Sequence, residues 1–272
     1  SDNQLIGSIP STFGNLTKLT ILYLDGNQLS GLLPQELGYL VRLQELALSS
    51  NKLMGSIPNT FGSLIYITGL YLWDNQLSGH VPPELSSLVN LEDLELAKNR
   101  LTGSIPGSFG NLTKLSLLHL DGNKFCGHVP REIGTLMDLQ YLQLNGNNFS
   151  CPLPPDLCAG GKLERLTAFD NNLNGPLSSS LVHCLSLVRV RLERNQIEGD
   201  ISELGGHPSL NYMDMSSNKL FGKLCSLWGE SQNINMLRLS NNNLTGEIPI
   251  NMGRLTQLGI LDLSSNKLEG YI

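Results

Sequence analysis

The sequence predicts a right-handed solenoid of the α/β type, with short parallel strands on a concave face and short 3-10 or irregular segments on a convex face. Three observations lead to this fold. Alternating leucines recur along the chain, glycine and proline follow them at a fixed distance, and an asparagine stands between the two in each unit. The asparagines are 24 residues apart except for one step of 23, and they are Asn3, Asn27, Asn51, Asn75, Asn99, Asn123, Asn147, Asn171, Asn195, Asn218, Asn242 and Asn266.

Each part of the unit LTKLTILYLDGNQLSGLLPQELGY has a physical reason. Its alternating leucines predict a strand that buries Leu22 and Leu24 and exposes the residue between them. Asn27 then turns the chain inward, where its amide can donate and accept hydrogen bonds with backbone groups of neighbouring coils. Gly31 and Pro34 bend the chain toward the convex side. Since a unit of 24 residues cannot bury its own leucines, we expect the coils to stack and to lay their strands into one parallel sheet.

The repeat predicts a single domain over residues 1–272, made of about 11 repeats. The chain begins within a unit, at SDNQLIGSIP, and stops at KLEGYI, where the next proline of the pattern is due. An uncapped solenoid exposes leucines at both ends. We therefore expect a fragment that is truncated at both ends without capping regions, and that belongs to a longer protein.

The composition argues against several classes of function. The net charge of −6 offers no basic field for nucleic acid. No apolar run approaches the ~20 residues that span a bilayer, so the fragment itself is not expected to be membrane-inserted. No phosphate-binding glycine loop, paired carboxylates or Ser/His/Asp arrangement is recognisable. The sequence therefore predicts no catalytic residue, no metal site and no cofactor.

The consensus L-x-x-L-x-L-x-x-N-x-L-x-G-x-I-P resembles the plant-specific class of leucine-rich repeat over the whole chain. Its last part stands in GSIPSTFGNL, GSIPNTFGSL, GSIPGSFGNL and GEIPINMGRL. The tracts LCAGGKLE (157–164), LVRVRLERNQIEGDISE (187–203) and LNYMDMSSNKL (210–220) look similar to peptide-sensing receptor kinases related to the MDIS1-interacting receptor kinases. The resemblance implies the extracellular, apoplast-facing part of a single-pass plasma-membrane receptor-like kinase. A cytoplasmic Ser/Thr kinase domain would lie outside the fragment.

Arginines are concentrated on one part of the predicted sheet. Arg189 and Arg191 share a strand, and Arg165 stands in the same column one coil earlier. Like charges this close repel, but three guanidinium groups together suit a planar anion, which arginine grips with paired hydrogen bonds. The pair also resembles the R-x-R pair by which several plant peptide-hormone receptors hold the C-terminal carboxylate of their ligand, which implies a peptide-binding site here. The alternative is a solvated salt-bridge ladder with nearby carboxylates, namely Glu164, Glu193 and Asp214.

Aromatic residues extend this candidate surface toward the N-terminus. Adjacent strands lie about 4.8 Å apart, so an extended ligand of about 13 residues would cross roughly nine strands. It would lie over side chains that can form pockets, namely Phe169, Tyr141, His119, Trp73 and Tyr71. The same aromatics can instead simply cover their neighbours, and His119 lacks the clustered partners of a metal site. Glu45, Asp93 and Glu95 would favour a basic or hydroxyl-rich segment in this half.

Five cysteines are present, and their spacing predicts two pairs. Cys126 and Cys151 occupy nearly the same position of successive coils, which suggests a disulfide in an oxidising extracellular setting. Cys158 and Cys184 are likewise near in phase, and the alternative for them is a pair of small buried apolar residues. Cys225 stands where most repeats place proline and is expected to be unpaired.

Four N-x-S/T motifs predict N-linked glycans, at Asn15, Asn111, Asn148 and Asn243. Asn15 and Asn111 share one phase of the repeat on the predicted convex side. A glycan there would leave the inner face of the sheet free.

The favoured function is a receptor ectodomain that binds a secreted peptide. The resemblance implies a second partner, a leucine-rich-repeat co-receptor kinase of the somatic embryogenesis receptor kinase type. One alternative is a secreted defence protein that docks on an enzyme, like the polygalacturonase inhibitors, which need no R-x-R pair. A less favoured alternative is an ice-binding repeat protein, which would want a flat array rich in Thr or Asn rather than irregular charged columns.

Overall fold

The computed structural model describes residues 1–271 and shows a continuous stack of coils. Within these residues, eleven strands pair in parallel, each with the strand of the next coil. This inner sheet is the one that the alternating leucines predict. Its strands are Ile21–Tyr23, Glu45–Ala47, Gly69–Tyr71, Asp93–Glu95, Leu117–His119, Tyr141–Gln143, Arg165–Thr167, Arg189–Arg191, Tyr212–Asp214, Met236–Arg238 and Ile260–Asp262.

A second parallel sheet, the outer sheet, follows the asparagines, and the expectation of one sheet was incomplete. These segments are short, and each typically buries a single large apolar residue, such as Leu29 or Phe125, so they show too little alternation to predict a strand. The outer strands are Ile6–Gly7, Gln28–Leu32, Lys52–Gly55, Gln76–Gly79, Arg100–Gly103, Lys124–Gly127, Asn148–Cys151, Asn172–Pro176, Gln196–Asp200, Lys219–Lys223, Asn243–Gly246 and Lys267–Leu268.

Short helices close most coils on the convex side. Proline usually precedes them and holds the entering backbone extended, as Pro58 does with φ −64° and ψ 137°. The 3-10 helices are Ser11–Asn15, Gln35–Tyr39, Asn59–Ser63, Pro83–Ser87, Gly107–Asn111, Arg131–Thr135, Ser226–Glu230 and Ile250–Arg254, and the one α-helical turn in residues 1–271 is Ser179–Val182.

The asparagine ladder has the predicted role. Asn123 is buried, and its amide nitrogen donates to the carbonyl oxygens of Leu96 and Leu120 at 2.9 and 3.1 Å. Its Oδ1 accepts from the backbone N–H of Leu101 at 3.0 Å. Since Leu96 and Leu101 belong to the preceding coil, each such side chain closes its own turn and fastens it to a neighbour.

Leucines from every coil fill the space between the two sheets and the convex helices. Aromatic rings add to this core where the repeat departs from leucine. Phe125 and Phe149 stack with ring centroids 6.0 Å apart, and Phe61 and Phe109, which belong to convex helices, are fully buried. The apolar interior fixes the register of the coils, because a shift by one residue would turn leucines outward.

The shorter coil, with a step of 23 residues, keeps the inner sheet in register. Arg189 pairs with Tyr212, and Arg191 with Asp214. The missing residue is absorbed between the outer strand Gln196–Asp200 and Tyr212, where turns replace the convex helix. The columns of the inner sheet therefore continue through the irregular coil.

One of the two cysteine pairs is present. Cys158 and Cys184 form a disulfide, with Cα atoms 5.9 Å apart. Cys126 instead lies opposite Asn148 in the outer sheet, three residues before Cys151. That offset amounts to about 10 Å along the strand, beyond the ~7 Å limit for bonding. The predicted Cys126–Cys151 bond is therefore wrong, and both thiols are free and exposed, while Cys225 is free and half-buried.

Candidate functional site

The inner sheet brings the predicted arginines together. Arg165 pairs directly with Arg189, and Tyr141 precedes Arg165 in the same column. Arg191 lies opposite Thr167, on the same exposed side of the sheet as Arg189, because alternate residues of a strand face the same way. The three guanidinium groups thus share one patch across two neighbouring strands, as the repeat spacing predicts.

Each of these arginines stacks on an aromatic ring. The guanidinium carbon of Arg189 lies 4.3 Å from the ring centre of Tyr212, and that of Arg165 lies 5.3 Å from the ring centre of Tyr141. Arg191 lies 3.8 Å from the ring centre of Phe169. Since the negative face of an aromatic ring attracts a cation, these contacts offset part of the repulsion between the arginines.

Carboxylates neutralise only part of the cluster. Nε of Arg191 donates to Oε1 of Glu193 at 2.9 Å, and Glu193 is 1% exposed. In residues 1–271, neither Arg165 nor Arg189 has a carboxylate oxygen within 4.0 Å. The salt-bridge ladder therefore describes Arg191 and leaves Arg165 and Arg189 as charges paired only with aromatic rings.

An open cavity of about 290 Å³ lies at this patch. Its walls combine cationic, amide and aromatic groups, and they are formed by Gln143, Asn145, Arg165, Thr167, Phe169, Arg189 and Arg191. Thr167 Oγ1 donates to Asn145 Oδ1 at 2.7 Å, which orients the asparagine amide. In such a cavity a planar anion can accept hydrogen bonds from two guanidinium groups, and the amides can bind the polar backbone of a ligand.

Tyr71 and Trp73 line a different cavity, of about 550 Å³, nearer the N-terminus. Tyr71 donates its hydroxyl to Asp93 at 3.1 Å, and its pKa is raised by burial and by the nearby carboxylate. Tyr23 makes the corresponding bond to Glu45. The aromatics of the candidate surface are thus divided, because Phe169 lines one cavity, Tyr71 and Trp73 line the other, and Tyr141 stacks against Arg165 beside the first.

His119 lies between the two cavities and is half-buried. Its Nδ1 lies 3.9 Å from Oε1 of Glu95. Loss of solvent outweighs the attraction of Asp93 and lowers the pKa of His119 to about 4. The ring is therefore neutral at pH 7 and does not compensate the charge of Glu95.

Two residues outside the predicted peptide-binding set contribute to the site, and one of them, Glu193, is a partner that the salt-bridge alternative named. Tyr212 carries the ring beneath Arg189, and its column position was visible once the step of 23 residues was allowed for. Glu193 fixes Arg191, but nothing in the sequence distinguishes a buried carboxylate from an exposed one at that position. Only packing reveals its burial.

The predicted glycan acceptors lie at the surface. Asn15, Asn111 and Asn148 are exposed, and Asn243 is half-buried. Asn15 and Asn111 each end a convex 3-10 helix, away from the inner sheet. Glycans at these two positions would leave both cavities open.

Residues 1–271 contain no group of three or more acidic, histidine or cysteine side chains that could hold a metal ion. No helix in that range is long and apolar enough to cross a bilayer.

Comparison with known proteins gives consistent matches. A family model described as "Leucine-rich repeat region" matches residues 11–232, and one described as "Leucine Rich Repeat" matches residues 233–255. Comparison with curated protein sequences gives no match. The plant peptide hormone receptor RGFR1 in complex with RGF2 is 33% identical, with a TM-score of 0.93, over 98% of this chain and 43% of that chain.

Two further solved structures bear on function. The PEPR1–AtPEP1 structure is 32% identical, with a TM-score of 0.87, over 98% of this chain and 41% of that chain. A plant ice-binding protein is 27% identical, with a TM-score of 0.77, over 92% of this chain and 81% of that chain. The chain spans less than half of the length of the RGFR1 and PEPR1 chains that it matches.

The family match covers most of the repeats, and the coils superpose on those of a plant peptide hormone receptor. Strand, asparagine ladder and convex helix all recur at the period of that repeat. The chain therefore belongs to the leucine-rich repeat proteins, with the architecture of the plant peptide hormone receptors rather than that of an enzyme.

Proposed function

We propose that this chain is the ligand-binding part of the extracellular region of a plant receptor-like kinase, and that it binds a secreted peptide along the inner sheet. The observation that carries the proposal is the pair Arg165 and Arg189, stacked on tyrosines, without a carboxylate partner and facing a cavity. Two unneutralised guanidinium groups in one column repel each other unless an anion joins them. The match to a peptide hormone receptor supports a peptide as the source of that anion.

The anion that fits best is the C-terminal carboxylate of the peptide. A carboxylate is planar and accepts paired hydrogen bonds from guanidinium groups. Arg165 and Arg189 are the main anchors in this proposal, because Glu193 already occupies Nε and one terminal nitrogen of Arg191. Arg191 keeps its other terminal nitrogen for the ligand and closes the cavity from one side. Tyr141 and Phe169 would flank the last residues of the peptide.

The proposed setting includes partners beyond the peptide. In it, the chain faces the apoplast, carries N-linked glycans at Asn15 and Asn111, and recruits a leucine-rich-repeat co-receptor kinase of the somatic embryogenesis receptor kinase type once the peptide is bound. The exposed, convex position of both asparagines supports the glycans. Deglycosylation of the secreted protein, read by mass spectrometry, tests them directly.

Calorimetric titration with a pool of synthetic plant signalling peptides tests the carboxylate anchor. We expect Arg165→Ala/Arg189→Ala to lower the affinity of the binding peptide at least about thirtyfold, which corresponds to about 2 kcal/mol. Amidation of the peptide C-terminus should weaken binding to the wild type similarly and should change little in the double variant. Arg191→Ala should have a smaller effect.

Arg100→Ala/Arg131→Ala is the matched control, since both arginines are exposed outside the inner sheet. Equal binding by wild type and the Arg165→Ala/Arg189→Ala variant would exclude the arginine anchor.

The match to an ice-binding protein raises a second function, which the surface does not favour. Ice recognition wants a flat and regular array of small polar side chains, whereas the inner columns carry Tyr141, Arg165, Arg189 and Glu95. Inhibition of ice recrystallisation by the wild type would support that function and contradict ours. If the wild type bound no signalling peptide and inhibited a cell-wall hydrolase, this result would instead favour the defence-protein alternative.

A further inference from the structure

The cavity near the N-terminus is walled by carboxylates and aromatic rings, and we name it the acidic cleft. It has a volume of about 550 Å³, and its walls include Glu45, Ser49, Tyr71, Trp73 and Glu95. Asp93 adjoins it, because Tyr71 donates its hydroxyl to that carboxylate. The acidic cleft lies on the same inner sheet as the arginine cluster, but its charge has the opposite sign.

The carboxylates of the acidic cleft are not neutralised. In residues 1–271, no lysine or arginine nitrogen lies within 4.0 Å of Glu45, Asp93 or Glu95. Lys98 lies over Trp73, with its Nζ 5.9 Å from the ring centre. Burial, followed by repulsion from Asp93, raises the pKa of Glu95. Folding therefore gathers negative charge here without a lysine or arginine of the described residues in contact with these three carboxylates.

A buried hydroxyl in the same cavity also lacks a partner. Ser49 is 3% exposed, and in residues 1–271 its Oγ forms no hydrogen bond. An unsatisfied buried polar atom costs about 1 to 3 kcal/mol. Ser49 lines the acidic cleft. A hydrogen-bond donor on a ligand that enters the cleft would therefore lie on the same side of the molecule as this unpaired hydroxyl.

These features together select the chemistry of an occupant. Unpaired carboxylates require a cation, the unpaired hydroxyl accepts an N–H donor, and the aromatic walls of Tyr71 and Trp73 favour a flat cation that can stack. A guanidinium group meets all three requirements, because it is planar, carries five N–H donors and is less strongly hydrated than an ammonium group.

We propose that the acidic cleft binds the guanidinium group of an arginine side chain of the peptide ligand. This inference rests on the proposed function for the identity of the ligand as a peptide. The guanidinium group would lie between Glu45 and Glu95, stack on Tyr71 or Trp73, and donate to Ser49.

The distance between the two sites sets the position of that arginine. Four strand spacings separate Gly69–Tyr71 from Arg165–Thr167, and six separate Glu45–Ala47 from Arg189–Arg191. At about 4.8 Å per spacing the two separations are about 19 and 29 Å. An extended peptide advances about 3.3 Å per residue. The arginine should therefore stand about six to nine residues before the C-terminal carboxylate.

Intrinsic fluorescence provides a site-specific test. The chain has two tryptophans, and Trp228 is fully buried in the core, so a small polar ligand that binds the surface is reported by Trp73. The probe is Nα-acetyl-arginine amide, and its matched control is Nα-acetyl-citrulline amide, which has nearly the same shape without the charge. With the wild type we expect a saturable change of tryptophan emission with the arginine probe and no change with the citrulline probe. With Trp73→Phe we expect no change with either probe.

Charge-neutral variants then locate the probe. Glu45→Gln/Glu95→Gln should weaken the response to the arginine probe at least about tenfold, the effect expected when a paired charge is removed. Glu36→Gln/Glu84→Gln, which removes two carboxylates from the convex helices, should leave it unchanged. Thermal unfolding of each variant, followed by circular dichroism, verifies that the fold is intact. An equal response to citrulline, or no loss in Glu45→Gln/Glu95→Gln, would overturn the proposal.

The experiment separates this proposal from the carboxylate anchor. The arginine probe has no carboxylate, so Arg165→Ala/Arg189→Ala should not affect it. If the probe binds but peptide amidation has no effect, the acidic cleft stands and the carboxylate anchor fails. If amidation matters but the probe does not bind, the anchor stands and the acidic cleft is excluded.

Discussion

At the scale of single residues, the side chain of Asn123 joins two coils through hydrogen bonds. Its loss would leave the buried N–H of Leu101 without its side-chain acceptor, whereas the carbonyl of Leu96 would keep the amide of Asn99 as a donor. An unsatisfied buried backbone group costs about 1 to 3 kcal/mol, so Asn123→Ala should lower the free energy of unfolding by about 2 kcal/mol. Urea unfolding followed by circular dichroism measures this change.

Asn59→Ala is the control for the ladder, because Asn59 is exposed at the start of a convex helix. It should alter stability by no more than about 0.5 kcal/mol. A similar loss of unfolding free energy in both variants would mean that replacing any asparagine destabilises the chain, whether or not it belongs to the ladder.

Glu95 shows the opposite case, a residue that lowers stability where it lies. Burial and the repulsion from Asp93 raise its pKa above the ordinary 4.5. Between the unfolded and folded pKa values the unfolded chain binds fewer protons, so the wild type loses stability as the pH rises through that interval. Glu95→Gln should therefore stabilise the chain at pH 7 by about 0.5 to 1 kcal/mol, the usual energy of a partly exposed charge pair.

The gain from Glu95→Gln should disappear as the pH falls to the ordinary carboxyl value of 4.5, where the unfolded carboxyl is itself becoming neutral. Thermal unfolding at pH 7 and at pH 4.5 tests both halves of this expectation. A variant that is less stable than the wild type at pH 7 would show that Glu95 has a stabilising partner. The variant that gains stability is also expected to lose ligand, as is common for binding sites.

At the scale of secondary structure elements, the convex helices pack by close backbone approach. A Cβ added at Gly38 would lie 2.4 Å from the carbonyl oxygen and 2.6 Å from the Cβ of Thr60 in the next coil. Gly38→Ala must therefore push two coils apart and should cost about 2 kcal/mol of unfolding free energy. Chemical unfolding of the purified variant measures the loss.

Gly253 offers a matched control at the same place in the helix Ile250–Arg254. A Cβ there meets no atom within 4 Å. Gly253→Ala should be neutral or slightly stabilising, since alanine restricts the unfolded chain more than glycine does. Comparable destabilisation by both substitutions would point to a helix-propensity effect instead of a clash between coils.

Elements also differed in how well the sequence predicted them. The inner strands followed from leucine alternation, because burial of one face imposes a period of two. The outer strands did not, since a segment such as Gln28–Leu32 buries only Leu29 and is held by pairing with its neighbours. The register of that sheet also decided the cysteines, and Cys126 was misplaced because its pairing offset differs from the repeat length.

At the scale of the whole molecule, the repeat made the column positions predictable and left the contacts within them open. The pairing of Arg165 with Arg189 in one column of the inner sheet followed from the repeat spacing of the sequence. The sequence offered Glu193 as one of three carboxylate partners, but it predicted neither its burial nor its pairing with Arg191, because two arginines on one strand differ only in what packs around them. The unpaired hydroxyl of Ser49 was equally invisible, since a serine gives no sign of burial before the coils are stacked.

The charge pattern divides the inner sheet into two parts of opposite sign. Carboxylates gather around Tyr71 and guanidinium groups around Thr167, while the chain as a whole carries a net charge of −6. An extended ligand with separated positive and negative ends has one favourable orientation on such a surface, because the reversed orientation places like charges together.

The repeat distance of the inner strands differs from the repeat distance of an extended peptide by a simple ratio. Strands recur about every 4.8 Å and residues of an extended peptide about every 3.3 Å, so three ligand residues span nearly the same length as two strands. Since successive side chains of an extended peptide point to opposite sides, every sixth side chain of a bound peptide thus returns to an equivalent place, while those between lie at other positions relative to the strands. Inserting a single residue into such a ligand would shift every later ligand residue relative to the strands. The solenoid would therefore discriminate between ligands by length as well as by composition.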